Sequence, residues 1–206
     1  VQVRGARPVQ WLLANASVDA RWTLVHATHL DTAEVTGIAR SGAVVAICPT
    51  TEANRGDGLF PLRDYIGHGG RFGVGSDSNV SVSPVEELRW LEYGQRLASR
   101  QRNIAATVEH PRSGESVLLR SVAGGRQSMA QDGQEQDWFT LHECAPALAG
   151  VSADDVHDRF VFAGNVPLVR DVYVGGQRVV HEGRHPRREE IAARYRKALR
   201  ALLADG

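Results

Sequence analysis

The 206-residue sequence is poor in several things, and each shortage removes a class of function. It has only two cysteines, Cys48 and Cys144, far apart and outside any CxxC pair, so neither a disulfide scaffold nor a cysteine zinc knuckle is encoded and a reducing cytoplasm is the expected compartment. It has no charge excess: 24 basic and 24 acidic residues cancel, which argues against nucleic acid or an anionic membrane as the main partner. No apolar run approaches the ~20 residues that span a bilayer, and no basic segment followed by an apolar stretch opens the chain. No GxGxxG occurs, and Gly56-Asp57-Gly58 is followed by no lysine, so a phosphate cradle is missing. Lysine itself is nearly absent: only Lys197 stands among the basic residues, which reads as coding bias rather than chemistry. There is no internal repeat, no low-complexity tract and no initiating methionine. Val1 opens the chain, and the expectation is a downstream part of something longer. What remains, 42% hydrophobic and 23% charged residues, is the composition of a soluble globular protein able to bury a core.

The first hundred residues alternate strand and helix signals. Trp22–Ala27, Ala43–Cys48 and Arg71–Ser76 are short apolar runs read as strands. Helices are predicted from Pro8 to about Asn15, from Asp31 (an N-cap with Glu34 as its capping-box partner) to the stop at Gly42, over Leu59–His68, and from Pro84 with Val85, Leu88, Leu91 and Leu97 as the apolar stripe. Strands apolar throughout, each followed by a helix, indicate parallel strands covered on their outer faces. The second half differs. A helix is expected over Glu115–Ala130 despite Gly124-Gly125, then a polar loop to Gln136, strands at Phe160–Phe162 and Val169–Val174, a hairpin turn at Gly175-Gly176 leading into Gln177–His181, and a basic amphipathic helix from Arg188 to Ala204 with a solvated charged face.

The polar residues worth weighing end the three parallel strands: His26-Ala27-Thr28-His29, Cys48-Pro49-Thr50-Thr51-Glu52-Ala53-Asn54 and Gly75-Ser76-Asp77-Ser78-Asn79. In α/β folds this is the edge where sites are built, because the loops leaving the strands converge there. Asp77 alone could cap a turn, and either histidine alone could be a core residue. Two imidazoles and a carboxylate on one sheet edge can instead share a metal or an activated water. Cys48, just before a proline at a strand end, reads as a small buried residue. Glu86, Glu87 and Glu92 with Arg89 and Arg96 read as i,i+3 and i,i+4 helix pairs, and the other histidines lack ligand spacing.

At these residues a resemblance is plain. Leu24–His29, Cys48–Pro61 and Gly73–Ser78 resemble, in order and spacing, barrel strands six to eight of the metal-dependent deaminases of the amidohydrolase superfamily. The loop Thr51–Asn54 and the stretch Glu86–Leu97 resemble the formimidoylglutamate deiminase group within it. The hairpin at Gly175-Gly176 fits that family's small β-sandwich. The resemblance implies an α/β fold: the C-terminal part of a (β/α)8 TIM-like barrel, about three βα units over residues 1–130, a small β-sandwich segment over 131–187 and a terminal amphipathic helix over 188–206. It implies that Asp77 is a zinc ligand and the base taking a proton from the activated water, and that His26 hydrogen-bonds to the attacking hydroxide. His29, Glu52 and Asn54 are implied as substrate-binding or site-supporting residues. The implied reaction is hydrolysis of N-formimino-L-glutamate to N-formyl-L-glutamate and ammonia in histidine degradation, by a cytoplasmic homodimer.

The departures carry equal weight. The family's His-x-His pair, its strand-five histidine and its His-x-x-Glu acid have no counterpart here. Asn79 stands where the family more often has histidine, and Gln131–Thr140 departs from the usual entry into the sandwich. A complete barrel takes ~250 residues, and a catalytic zinc normally needs about three protein ligands. The chain is therefore expected to supply only the C-terminal half of a site, with zinc weakly bound or absent in the chain alone and the rest coming from a missing N-terminal half or a second subunit. Two other readings stand beside it: another deaminase of the superfamily, of the guanine deaminase or imidazolonepropionase type, or a catalytically inactive remnant serving as an interaction protein.

Overall fold

The computed structural model describes residues 5–131 and 136–204, which form two units: the described part of Val1–Gly133 together with Val151–Ala163, and the described part of Gln134–Gly150 together with Gly164–Gly206. The expected loop over 130–136 lies partly outside these residues, as do the last two positions of the expected terminal helix.

In the first unit, α1 (Pro8–Asn15) is followed by β1 (Thr23–Val25), α2 (Thr32–Ser41), β2 (Val44–Ile47), α3 (Pro49–Arg55), α4 (Leu62–Gly67), β3 (Arg71–Val74), α5 (Pro84–Ser99) and α6 (Ser113–Ser128). The strands pair in parallel in the order β1-β2-β3, Thr23 beside Val44 and Val44 beside Arg71, and no closed barrel forms among the described residues. Each crossover is set by local chemistry. Asp31 and Glu34 form the reciprocal capping box that starts α2, and Gly42 at φ +76° ends it in the left-handed conformation that lacks a Cβ penalty. Val44, Val45, Ile47 and Phe72 of the sheet are buried with Val35 and Ile38 of α2, Leu62 and Tyr65 of α4, and Leu88 and Leu91 of α5. The Tyr65 hydroxyl donates to the carbonyls of Ala43 and Arg71, satisfying a polar tip that would otherwise be costly in the core, and burial pushes this phenol up to about 12.

The second unit pairs β4 (Trp138–Leu141), β5 (Val169–Val174) and β6 (Gln177–Val180) antiparallel in the order β4-β5-β6, and ends in α8 (Arg188–Ala204), none of whose residues is buried. Buried Asp171 accepts from His181 Nδ1 at 2.8 Å and Arg170 Nε at 2.9 Å, and this pairing holds its carboxyl below the usual range.

Four local expectations are corrected. Phe160–Phe162 is not a strand but the end of α7 (Val156–Phe162), which packs in the first unit, so residues 151–163 leave the sandwich segment to which the sequence assigned them. A short apolar run does not declare its period. The helix is decided by its surroundings: Asp155 accepts from Ser152 and Arg159 around the first turn, and Phe162 stacks on Tyr93 at 5.6 Å. The Thr51–Asn54 loop is helical, within α3. The helix expected over 59–68 is confined to Leu62–Gly67 by Pro61, and β4 was not anticipated.

Candidate active site at the sheet edge

The ladder carries its last bonds past the strand ends: His26 N donates to Ala46 O at 2.8 Å and Gly75 N to Ile47 O at 3.0 Å. That register brings His26, Cys48 and the Gly75–Asn79 turn to one edge of the sheet. The backbone there is unusual. His26, Ala27, Asp77 and Asn79 all have positive φ, 64°, 49°, 44° and 56°. Asp and Asn tolerate this region, whereas His and Ala adopt it at a cost of roughly 1–2 kcal/mol each, and such strain collects where tertiary structure holds a side chain in place. Asn79 closes its turn, with its N–H on Ser76 O at 3.0 Å and its carboxamide oxygen accepting from the Ser76 hydroxyl. A local hydrogen-bonding role thus fills the position where histidine was expected.

His26 lies between two carboxylates. Its Nε2 is 3.4 Å from Asp77 Oδ2 and its Nδ1 is 3.3 Å from Glu52 Oε1. His26 and Asp77 are part-exposed, whereas Glu52 is 4% exposed. Glu52 comes from the first turn of α3, and its Oε1 also accepts from Cys48 N at 2.9 Å. Burial pushes the Glu52 carboxyl up, and the hydrogen bonds from Cys48 and His26 pull it back. Thr51 is tied to the third loop, its hydroxyl 2.9 Å from that of Ser78.

Donor atoms of His26, Cys48 and Asp77 lie within 4.8 Å of one another. Nitrogen, sulfur and oxygen donors of this kind suit a borderline cation such as zinc. Cys48 is the member that the sequence reading had set aside, and its place at the end of β2 was the available signal. It is buried as expected, and its thiol is pushed up to about 11, chiefly by burial and then by Glu52, Asp77 and Glu87. His29 and Asn54 are exposed, and neither is brought into this cluster. Glu87, read as a member of an i,i+3 or i,i+4 helix pair, is buried and accepts instead from the Thr50 N–H and hydroxyl at 2.9 and 2.6 Å. The Glu92–Arg96 pair does form, at 2.8 Å.

Against known proteins, the chain is 48% identical over 205 residues to formimidoylglutamate deiminase of Pseudomonas aeruginosa. The solved structure of an amidohydrolase from Brucella melitensis superposes with a TM-score of 0.91 at 41% identity over 97% of the chain. Along nearly its whole length the chain is therefore similar to an amidohydrolase of known structure and to a formimidoylglutamate deiminase. The chain is also 27% identical to a 5-methylthioadenosine/S-adenosylhomocysteine deaminase of Natronomonas pharaonis, over 97% of its length. An adenosine deaminase from Xanthomonas campestris with bound zinc shares the fold, with a TM-score of 0.79 at 19% identity over 96% of the chain. The match covers nearly all of this chain but only 45% of the Pseudomonas protein, 46% of the Natronomonas protein, 45% of the Brucella chain and 47% of the Xanthomonas chain, so the chain spans about half the length of its relatives. No family model matches it.

Proposed function

We propose that the chain carries the carboxyl-terminal half of a formimidoylglutamate deiminase, with its three parallel strands as the last strands of a barrel and its antiparallel sheet as part of a β-sandwich. The reaction is hydrolysis of N-formimino-L-glutamate: water adds to the amidine carbon, the C–N bond to the terminal nitrogen breaks, and N-formyl-L-glutamate and ammonia leave. The observation that carries this reading is the 48% identity across nearly the whole chain, at a sheet edge where His26 and Asp77 stand 3.4 Å apart.

Asp77, together with ligands supplied from outside this chain, would hold a zinc ion, and that ion would supply a water acidified enough to serve as a nucleophile at neutral pH. The N, S and O donors clustered at the edge fit such a cation. Asp77 takes the proton of the attacking water, and His26 Nε2 hydrogen-bonds to the oxygen as it adds to carbon. His29, Glu52 and Asn54 support the site around them. The acid that protonates the leaving nitrogen and the groups that bind the substrate carboxylates lie on the other half of the enzyme, a cytoplasmic homodimer when complete.

The 27% identity to the Natronomonas deaminase keeps a purine-type substrate as the second reading, since it too loses ammonia from an amidine carbon. The test is ammonia release from N-formimino-L-glutamate, guanine and 5-methylthioadenosine by the protein as encoded, beside the 206-residue chain alone. Turnover of the formimino compound, lost by about 10²-fold or more in Asp77→Asn as for a missing general base, supports the proposal. Turnover of a purine in its place selects the second reading.

A further inference from the structure

Glu52 is an expensive residue to keep where it is. It is 4% exposed, and among the described residues no lysine or arginine forms an ion pair with it. A buried carboxylate without a cationic partner costs several kcal/mol unless hydrogen bonds compensate. Capping alone does not explain it. The N-cap of α3 is Cys48, whose side chain caps nothing, and an Asp, Asn, Ser or Thr at that position would cap the helix without burying a charge. The geometry shows a second task, because one oxygen, Oε1, receives both the Cys48 N–H and the His26 ring nitrogen Nδ1. The hydrogen bonds from the Cys48 N–H and from His26 favour the charged form, against the burial that disfavours it.

We propose that Glu52 is a positioning residue: it holds Nδ1 of His26 as the protonated nitrogen and thereby presents Nε2 to the reacting centre. This rests on the role given to His26 above. His26 needs such a hold, because its backbone is at φ 64° and its side chain is over a third exposed on the open side of the edge. An imidazole has two nitrogens, and the partner of one decides the tautomer of the other. With Nδ1–H directed at Glu52, Nε2 is left unprotonated on the Asp77 side of the ring, 3.4 Å from Oδ2, free to accept the proton of a hydroxyl held between the two residues in the proposed reaction. Glu52 thus acts through His26 and does not touch substrate, which distinguishes it from the substrate-binding assignment.

The test is 15N NMR of the histidine side chains in the protein as encoded, at an alkaline pH where the imidazoles are neutral, with the His26 signals identified by their loss in His26→Asn. The expected spectrum has Nδ1 of His26 protonated. Glu52→Gln, which keeps an oxygen at the same place, retains this tautomer. Glu52→Ala shifts His26 towards the Nε2–H form and lowers kcat about 10- to 100-fold, the usual loss for a residue that orients a site imidazole, with KM little changed. If Glu52 serves only as a cap, Glu52→Ala leaves the His26 nitrogen shifts as they were, and the proposal fails. A native His26 carrying its proton on Nε2 also overturns it. Since the tautomer is read without substrate, a protein that does not turn over the formimino compound refutes the proposed function and leaves this test intact.

Discussion

At the scale of single residues the sheet edge is a study in how one environment treats different acids. Cys48 and Glu52 are both raised, for the same first reason, burial; hydrogen bonds from the Cys48 N–H and His26 offset it at Glu52, whereas at Cys48 the Gly75 backbone hydrogen bond is the one lowering influence. Cys48 also faces the carboxylates of Glu52, Asp77 and Glu87, and its thiol rises to about 11. A raised thiol pKa means that the nucleophilic thiolate is scarce at neutral pH. In protein freed of metal by a chelator, DTNB at neutral pH is therefore expected to titrate exposed Cys144 and leave Cys48 unmodified until the chain is unfolded or the pH nears 11. Rapid labelling of both thiols in the folded state, read by mass spectrometry of the peptides, would contradict this placement. The burial of Cys48 was legible from its position between an apolar strand and a proline. Its nearness to His26 and Asp77 was not, because that depends on three segments meeting.

At the scale of elements, α6 shows why propensity misleads. Gly124-Gly125 weakens a helix by roughly 1 kcal/mol per glycine relative to alanine, yet α6 runs through both. The reason is contact with β3: a Cβ on Gly124 would stand 2.0 Å from the Phe72 carbonyl oxygen, while one on Gly125 would meet open space. The two neighbours thus separate packing from propensity. Gly124→Ala is expected to destabilise the protein by about 1–3 kcal/mol through overpacking, and Gly125→Ala to stabilise it by up to about 1 kcal/mol. Urea unfolding of the two variants checks the pair, and equal midpoints would remove the explanation. Similar reasoning covers the elements read wrongly. The helical Phe160–Phe162 segment and the helical Thr51–Asn54 segment are short: the first is joined to Tyr93, distant in sequence, and the second lies between Pro49 at the start of α3 and Gly56 at its left-handed end. Elements with their own start and stop signals, such as α2 between Asp31 and Gly42, were readable as they stand.

At the scale of the whole molecule, the first sheet has two outer strands, β1 and β3, each paired on one side only among the described residues. Unpaired strand edges are templates for association, and Val25 at the end of β1 is 56% exposed. The 206-residue chain produced alone is therefore expected to sediment as oligomers or aggregate, and to become soluble and discrete when produced together with a polypeptide covering the remaining length of its relatives. A stable, single-chain species at high concentration in analytical ultracentrifugation would show that these edges need no partner.

The sequence by itself determined the parallel strand order of chemistry: apolar runs short enough to be strands, each ending in His26, Cys48 or Asp77, with capping residues that fix the first crossover. These are local facts, set by hydrophobic pattern and by hydrogen bonds within a turn of helix. Only the tertiary structure decided that Glu52 turns back from α3 to reach His26, 26 residues away, and that Glu87 reaches Thr50 across 37. Buried polar groups must find partners wherever the fold provides them, and the identity of a partner far along the chain is written in the packing of elements, not in the spacing of residues.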